Sequence, residues 1–141
     1  AKLNEYKDLQ SNDSLKEYLT SAPQQFAEVC KKTAHSAYQL VAQKIESTNY
    51  GCMILATEDK KDSWMNLRKQ IFLVEFYREA EPVEESVIRK IADTVKNQNY
   101  FKAIIFSSSG FSTTALKFAD GRPIVLIGKE QLEIILSKAG I

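Results

Sequence analysis

The stretch from Tyr100 to Leu136 constrains the fold more than any other part of the chain. Ala103-Ile104-Ile105-Phe106 is a short apolar run closed by Ser107-Ser108-Ser109-Gly110. Phe111 to Ala119 then has helical spacing, and Ile124-Val125-Leu126-Ile127 is a second apolar run. Two such runs joined through a helix make a βαβ unit whose parallel strands are covered on both faces. Covered strands need layers above and below, so the other helices are predicted to flank one sheet rather than form a separate body. The expected class is α/β, with a mixed central sheet of about four strands flanked by helices and extra helices at the N-terminus.

The rest of the chain supplies those elements. Leu3, Tyr6, Leu9, Leu15, Tyr18 and Leu19 recur at helical intervals, interrupted at Ser11-Asn12-Asp13-Ser14, which predicts two short helices. After Ser21-Ala22-Pro23, an N-cap and an early proline, an apolar stripe through Phe26, Val29, Cys30, Ala34, Ala37, Leu40, Val41 and Ile45 predicts one long helix ending before Asn49-Tyr50-Gly51, or two joined near His35-Ser36. Gly51 to Ala56 reads as the first strand, Thr57 to Lys61 as a charged hairpin or loop, and Gln70 to Tyr77 as a strong strand rich in β-branched and aromatic residues. One carboxylate, Glu75, interrupts that strand. Pro82 ends the segment after it, Val83 to Val95 form an amphipathic helix, and Glu130 to Ser137 form the last one.

With 141 residues the chain is the size of one domain and can bury roughly two thirds of its unfolded surface. Cys30 and Cys52 have no metal-ligand spacing and read as small buried apolar residues of a reducing compartment. The single histidine, His35, lacks a second imidazole and reads as a surface or packing residue. No run approaches the ~20 apolar residues that span a bilayer, and there is no signal-peptide pattern, so a cytoplasmic location is expected. A net charge of +1 gives no global attraction to nucleic acid, so binding to it would need a local patch.

The order of elements and the C-terminal residues resemble those of the Mrr-type restriction endonucleases of the PD-(D/E)xK superfamily. In that family a strand ending in small hydroxyl residues precedes a Phe-Thr-x-x-Ala-x-x-x-Ala helix and a Leu-Ile-Asp turn. Here Phe111-Ser112-Thr113-Thr114-Ala115-Leu116-Lys117-Phe118-Ala119 and Leu126-Ile127-Gly128 stand in those places, with Gly128 departing from the Asp. The resemblance runs from about Tyr38 to Leu136. It implies a restriction endonuclease-like core over residues 38–141, with residues 1–37 as a helical extension packed on the same domain.

The resemblance also implies a site. Such nucleases hold Mg²⁺ between an Asp and a Glu or Gln, with a Lys two residues beyond the latter, because phosphodiester hydrolysis needs an activated water and charge neutralisation at phosphorus. Where the family has Asp-Gly-Gly-Ile-Asp and Val-Gln-Cys-Lys-Arg, this chain has Asp62-Ser63-Trp64-Met65-Asn66 and Val74-Glu75-Phe76-Tyr77-Arg78. The metal-binding Asp has become Asn66, the Lys has become Tyr77, and the helix glutamate found after an aromatic has become Gln39 beside Tyr38. Only Glu75 keeps a metal-competent group. An amide lacks the anionic charge Mg²⁺ demands, and a phenol with a pKa of about 10 does not replace an ammonium. Migrated replacements would be Asp62 for the carboxylate and Lys69 or Lys90 for the amine. The alternative for Glu75 and Asn66 is a plain structural role at a strand end and in a loop.

Two further features suit an anion. Ser108-Ser109-Gly110 leads towards a helix start, where free N–H groups favour a phosphate, although structural capping alone is the reading preferred. Lys60, Lys61, Arg68 and Lys69 cluster in sequence, diluted by Glu58, Asp59 and Asp62. The expectation is a degenerate restriction endonuclease-like domain that binds or targets nucleic acid, DNA in particular, without a cofactor, Mg²⁺ entering only if the site is active. The competing readings are a protein-interaction or assembly domain, docking or self-associating through Tyr6 and Tyr18 of the N-terminal helices, and a metal-dependent DNA endonuclease with a rearranged site.

Overall fold

The computed structural model describes residues 14–59 and 70–141. Residues 14–20 are helical (α1), followed by α2 (Pro23–Tyr38), β1 (Leu40–Ser47), β2 (Gly51–Glu58), β3 (Phe72–Tyr77), α3 (Glu85–Asn97), β4 (Lys102–Ser107), α4 (Thr113–Ala119), β5 (Ile124–Ile127) and α5 (Lys129–Lys138). The five strands form one mixed sheet in the order β1-β2-β3-β4-β5. The first two pairings are antiparallel, and β3, β4 and β5 are parallel, joined by the crossovers α3 and α4. The central strand β3 is buried along its whole length, as its continuous apolar run requires.

Successive strand residues point to opposite faces, so the sheet carries two cores. On one face Ile54, Val74, Phe76, Ile104 and Phe106 pack with Tyr18 of α1, Phe26, Val29 and Cys30 of α2, and Leu132 and Leu136 of α5. On the other, Leu73, Tyr77, Ala103 and Ile105 pack with Ile88, Ile91 and Val95 of α3 and Ala115 and Ala119 of α4. Phe76 and Phe106 stack across the parallel pair with ring centroids 4.7 Å apart. Cys30 and Cys52 are both buried and free, and both lie in the first core.

The structure corrects the expected long helix. α2 ends at Tyr38, where Gln39 takes a left-handed conformation with φ 54°, and the residues that continued the apolar stripe form the edge strand β1. This raises the sheet from about four strands to five. A bulge between Ala42 and Lys44 interrupts the pairing with β2. The helix expected from Phe111 begins at Thr113, because Phe111 is held in a parallel bridge to Val83. Tyr18 is not an exposed docking aromatic: it is fully buried, edge-on to Phe26 at 4.9 Å. The other expected docking aromatic, Tyr6, lies outside the described residues.

Candidate functional site

Glu75 sits in the middle of β3, between Met53 of β2 and Ile105 of β4, and Glu46 of β1 lies beyond Met53 in the same row. Alternation along β3 turns Leu73, Glu75 and Tyr77 towards α3. A cavity of about 360 Å³ opens there, with Met53, Leu55 and Leu73 as its apolar floor and Val87, Lys90, Ile91 and Thr94 of α3 as one wall. Glu46, Thr48, Tyr50, Glu75, Tyr77 and Tyr100 also line it.

Glu75 as a whole is only 7% exposed. The hydroxyl of Tyr50 donates a hydrogen bond to its Oε1. Tyr50 in turn stacks on Tyr77, with centroids 4.1 Å apart and planes 12° from parallel. Burial pushes the Glu75 carboxyl above its ordinary value, and the Tyr50 hydrogen bond offsets part of that shift. Burial also raises both tyrosines, helped by the neighbouring Glu75 charge. The result is a carboxyl capped by two phenols that stay protonated.

Local sequence explains the cap. Thr48 and Gly51 close the β1–β2 turn through backbone hydrogen bonds, and the backbone N–H of Arg78 donates to the Tyr50 carbonyl at 3.0 Å. Gly51 has φ 156°, and a Cβ there would meet the Phe76 carbonyl oxygen at 2.0 Å. Only glycine lets the turn approach β3 closely enough to lay Tyr50 over Tyr77.

The other expected site residues do not all gather here. Gln39 is exposed at the C-cap of α2, at the opposite end of β1 from Glu46, so the structure does not bring it to Glu75. Lys60, Lys61, Asp62, Asn66, Arg68 and Lys69 lie outside the described residues. Ser108 is buried and its N–H donates to the Tyr77 carbonyl at 3.2 Å, while the Ser109 hydroxyl donates to the Glu79 carbonyl at 2.5 Å. Gly110 has φ 76° and its carbonyl accepts from Val83. The N-cap of α4 is Ser112, whose hydroxyl accepts from the Ala115 N–H. Ser108 to Gly110 thus bind the end of β3 and the segment after it.

Two residues that sequence reasoning missed are central to the site. The sequence pattern places Tyr50 only just past the end of the expected long helix, and Glu46 within that helix. The inward residues of β1 are Leu40, Ala42 and Ile45, and the bulge between Ala42 and Lys44 breaks the period-two alternation that would mark a strand, so the sequence holds no clear signal for Glu46. Lys90, by contrast, was named as a replacement amine, and it does line the cavity with Glu75.

A family model described as restriction endonuclease, Mrr_cat, matches residues 19–136. The chain belongs to this family. No curated protein sequence matches it. Among solved structures, this Mrr_cat domain is similar to the DNA modification-dependent restriction endonuclease AspBHI, with a TM-score of 0.64 and 13% identity over 96% of the chain. It spans 36% of the length of that protein, and the likeness is one of fold.

The resemblance implies a divalent metal, and of its expected carboxylate positions Glu75 is the one among the described residues. A hard cation needs several anionic or neutral oxygen ligands converging on one point. Among the described residues no three His, Cys, Asp or Glu side chains stand close enough to share an ion. Glu75 itself is buried beneath Tyr50 and Tyr77, with its Oε1 hydrogen-bonded. Nor is any described helix long and apolar enough to cross a membrane.

Proposed function

We propose that this Mrr_cat domain is a restriction endonuclease fold that has lost metal-dependent cleavage and serves as a nucleic-acid binding or targeting module. The observation that carries the reading is the hydrogen bond from Tyr50 to Glu75 beneath the Tyr77 ring. It occupies the carboxylate of Glu75, and the Tyr77 phenol stands where the resemblance expects an ammonium. Burial biases Glu75 towards its neutral form, which is the wrong state for binding a cation. Family membership supports nucleic acid as the partner, since restriction endonucleases act on it.

A second reading, an active nuclease with a rearranged site, is favoured by Glu46 and Lys90 lining the same cavity as Glu75. Incubation with supercoiled plasmid and with single strands, in Mg²⁺ and in Mn²⁺, separates the two. The binding module leaves the plasmid intact and retains affinity for labelled duplex at low salt. Metal-dependent nicking that vanishes in Glu75→Ala or Lys90→Ala, with folding intact by circular dichroism, would establish the second reading instead.

A further inference from the structure

On the far side of α3 from Glu75, a cleft of about 620 Å³ opens between α3 and the α4–β5 turn. Its feature is one aromatic ring carrying two guanidinium groups. The Cζ of Arg122 lies 3.9 Å from the centroid of Phe118, and that of Arg89 lies 4.4 Å from it. The two like charges are therefore at most about 8 Å apart, within one Debye length at physiological salt. Lys96 lines the same cleft.

The opposing charges are few. Arg89 donates through Nε to Glu85 at 2.6 Å, one helical turn earlier. Asp93 also lines the cleft, and Asp120 stands near Arg122 in the turn. No carboxylate pairs with Arg122 or Lys96 among the described residues, and both are exposed. A guanidinium held over a ring face loses little rotamer freedom on binding, and the fork of Arg122 has no carboxylate partner among the described residues. Such pre-positioned forks match the oxygens of a phosphodiester, and stacked planar groups tolerate bases of any sequence.

We infer that the Arg89–Phe118–Arg122 cluster, with Lys96, is a contact site for the phosphodiester backbone of a nucleic-acid strand. The site is separate from the Glu75 cavity, and it rests on the reading of this domain as a nucleic-acid module, for which it names the binding surface. Its recognition is electrostatic and indifferent to sequence. Each phosphate contact on duplex contributes about 0.9 to the slope of log affinity against log salt.

The test is fluorescence anisotropy with a labelled duplex and a labelled single strand, across a salt series, for the full chain and its variants. Arg89→Gln with Arg122→Gln is expected to weaken binding about 10-fold at low salt and to flatten the duplex slope by roughly 2. Phe118→Leu keeps both charges but frees them, and is expected to weaken binding while leaving the slope in place. Lys138→Gln, on α5 at the other face, is the control that should change neither. If the wild type binds and the double variant binds with the same affinity and slope, the cluster is overturned while the module reading stands. An equal loss in Lys138→Gln reduces the cluster to general surface charge and also overturns it. Absence of binding by the wild type at the lowest salt overturns both.

Discussion

The phenolic hydroxyl of Tyr18 donates to the backbone carbonyl of Tyr77 across 2.8 Å, tying α1 to the end of the strand that carries Glu75. The same carbonyl accepts from the Ser108 N–H at the end of β4, so the end of β3 is held by its neighbouring strand and by a helix on one face. Removing only the hydroxyl, in Tyr18→Phe, leaves the ring against Phe26 and leaves Tyr77 one partner. The expected cost is about 1 kcal/mol, read as a lower urea midpoint with an unchanged slope. Tyr18→Ala empties a fully buried aromatic site and should cost about 3–5 kcal/mol. Equal costs for the two would mean that the hydroxyl, not the ring, holds α1 in place.

Gly51→Ala should be among the most damaging single-methyl changes in the chain. The added Cβ would lie 2.0 Å from the Phe76 carbonyl oxygen and 3.3 Å from the ring of Phe26, and φ 156° is a conformation an L side chain rarely adopts. Backbone on one side and a buried ring on the other leave little to yield, so a loss of about 3 kcal/mol or more is expected by thermal or urea unfolding. Gly121, which has open space around its missing Cβ, is the comparison. Its substitution carries only the cost of a positive φ, about 1 kcal/mol.

The Glu75 carboxyl makes stability fall as pH rises. Its folded pKa is raised above its ordinary value of 4.5, so the folded state holds the proton more tightly than the unfolded chain does. That contribution is complete below about pH 4.5 and is lost as pH climbs through the raised value. Each unit of elevation is worth about 1.4 kcal/mol. Glu75→Gln cannot ionise, so its unfolding free energy should lack this decline and exceed that of the wild type at neutral pH. Parallel stability profiles for the two proteins from pH 4 to 8 would contradict the assignment.

Tyr50→Phe removes the one hydrogen bond that favours the charged carboxylate. The Glu75 pKa should therefore rise further, and the pH at which stability declines should move up with it. A carboxyl carbon titration by NMR, on protein labelled at glutamate, reads the shift directly. A fall instead would mean that the phenol acts chiefly by excluding water.

The βαβ unit and the buried strand with its single carboxylate were legible because their signals are local. Four or more apolar residues between turn signals, as in Ala103 to Phe106 and Ile71 to Val74, leave few alternatives. The strand β1 was not legible, for a physical reason. It is an edge with few inward residues, and Leu40, Val41 and Ile45 happen to continue the helical stripe of α2. The helix stops without a glycine, at a left-handed Gln39, so no residue type announces the change. Glu46 and the cap of Tyr50 over Glu75 were hidden with it, since both depend on which strand lies beside β2. The burial of Tyr18 was equally hidden, because an aromatic residue on a short polar helix gives no sign of which face meets the sheet.

In this sheet every strand lies beside its successor in the chain. No strand must wait for a distant segment to arrive before it can pair, so the loops that have to close during folding stay short. The tight turn at residues 48–50 makes β1–β2 the most local pairing of the sheet, a hairpin of the kind that closes in microseconds. The Tyr50 cap over Glu75 therefore joins two neighbouring pairings, the β1–β2 turn that carries the phenol and the β2–β3 ladder that carries the carboxyl.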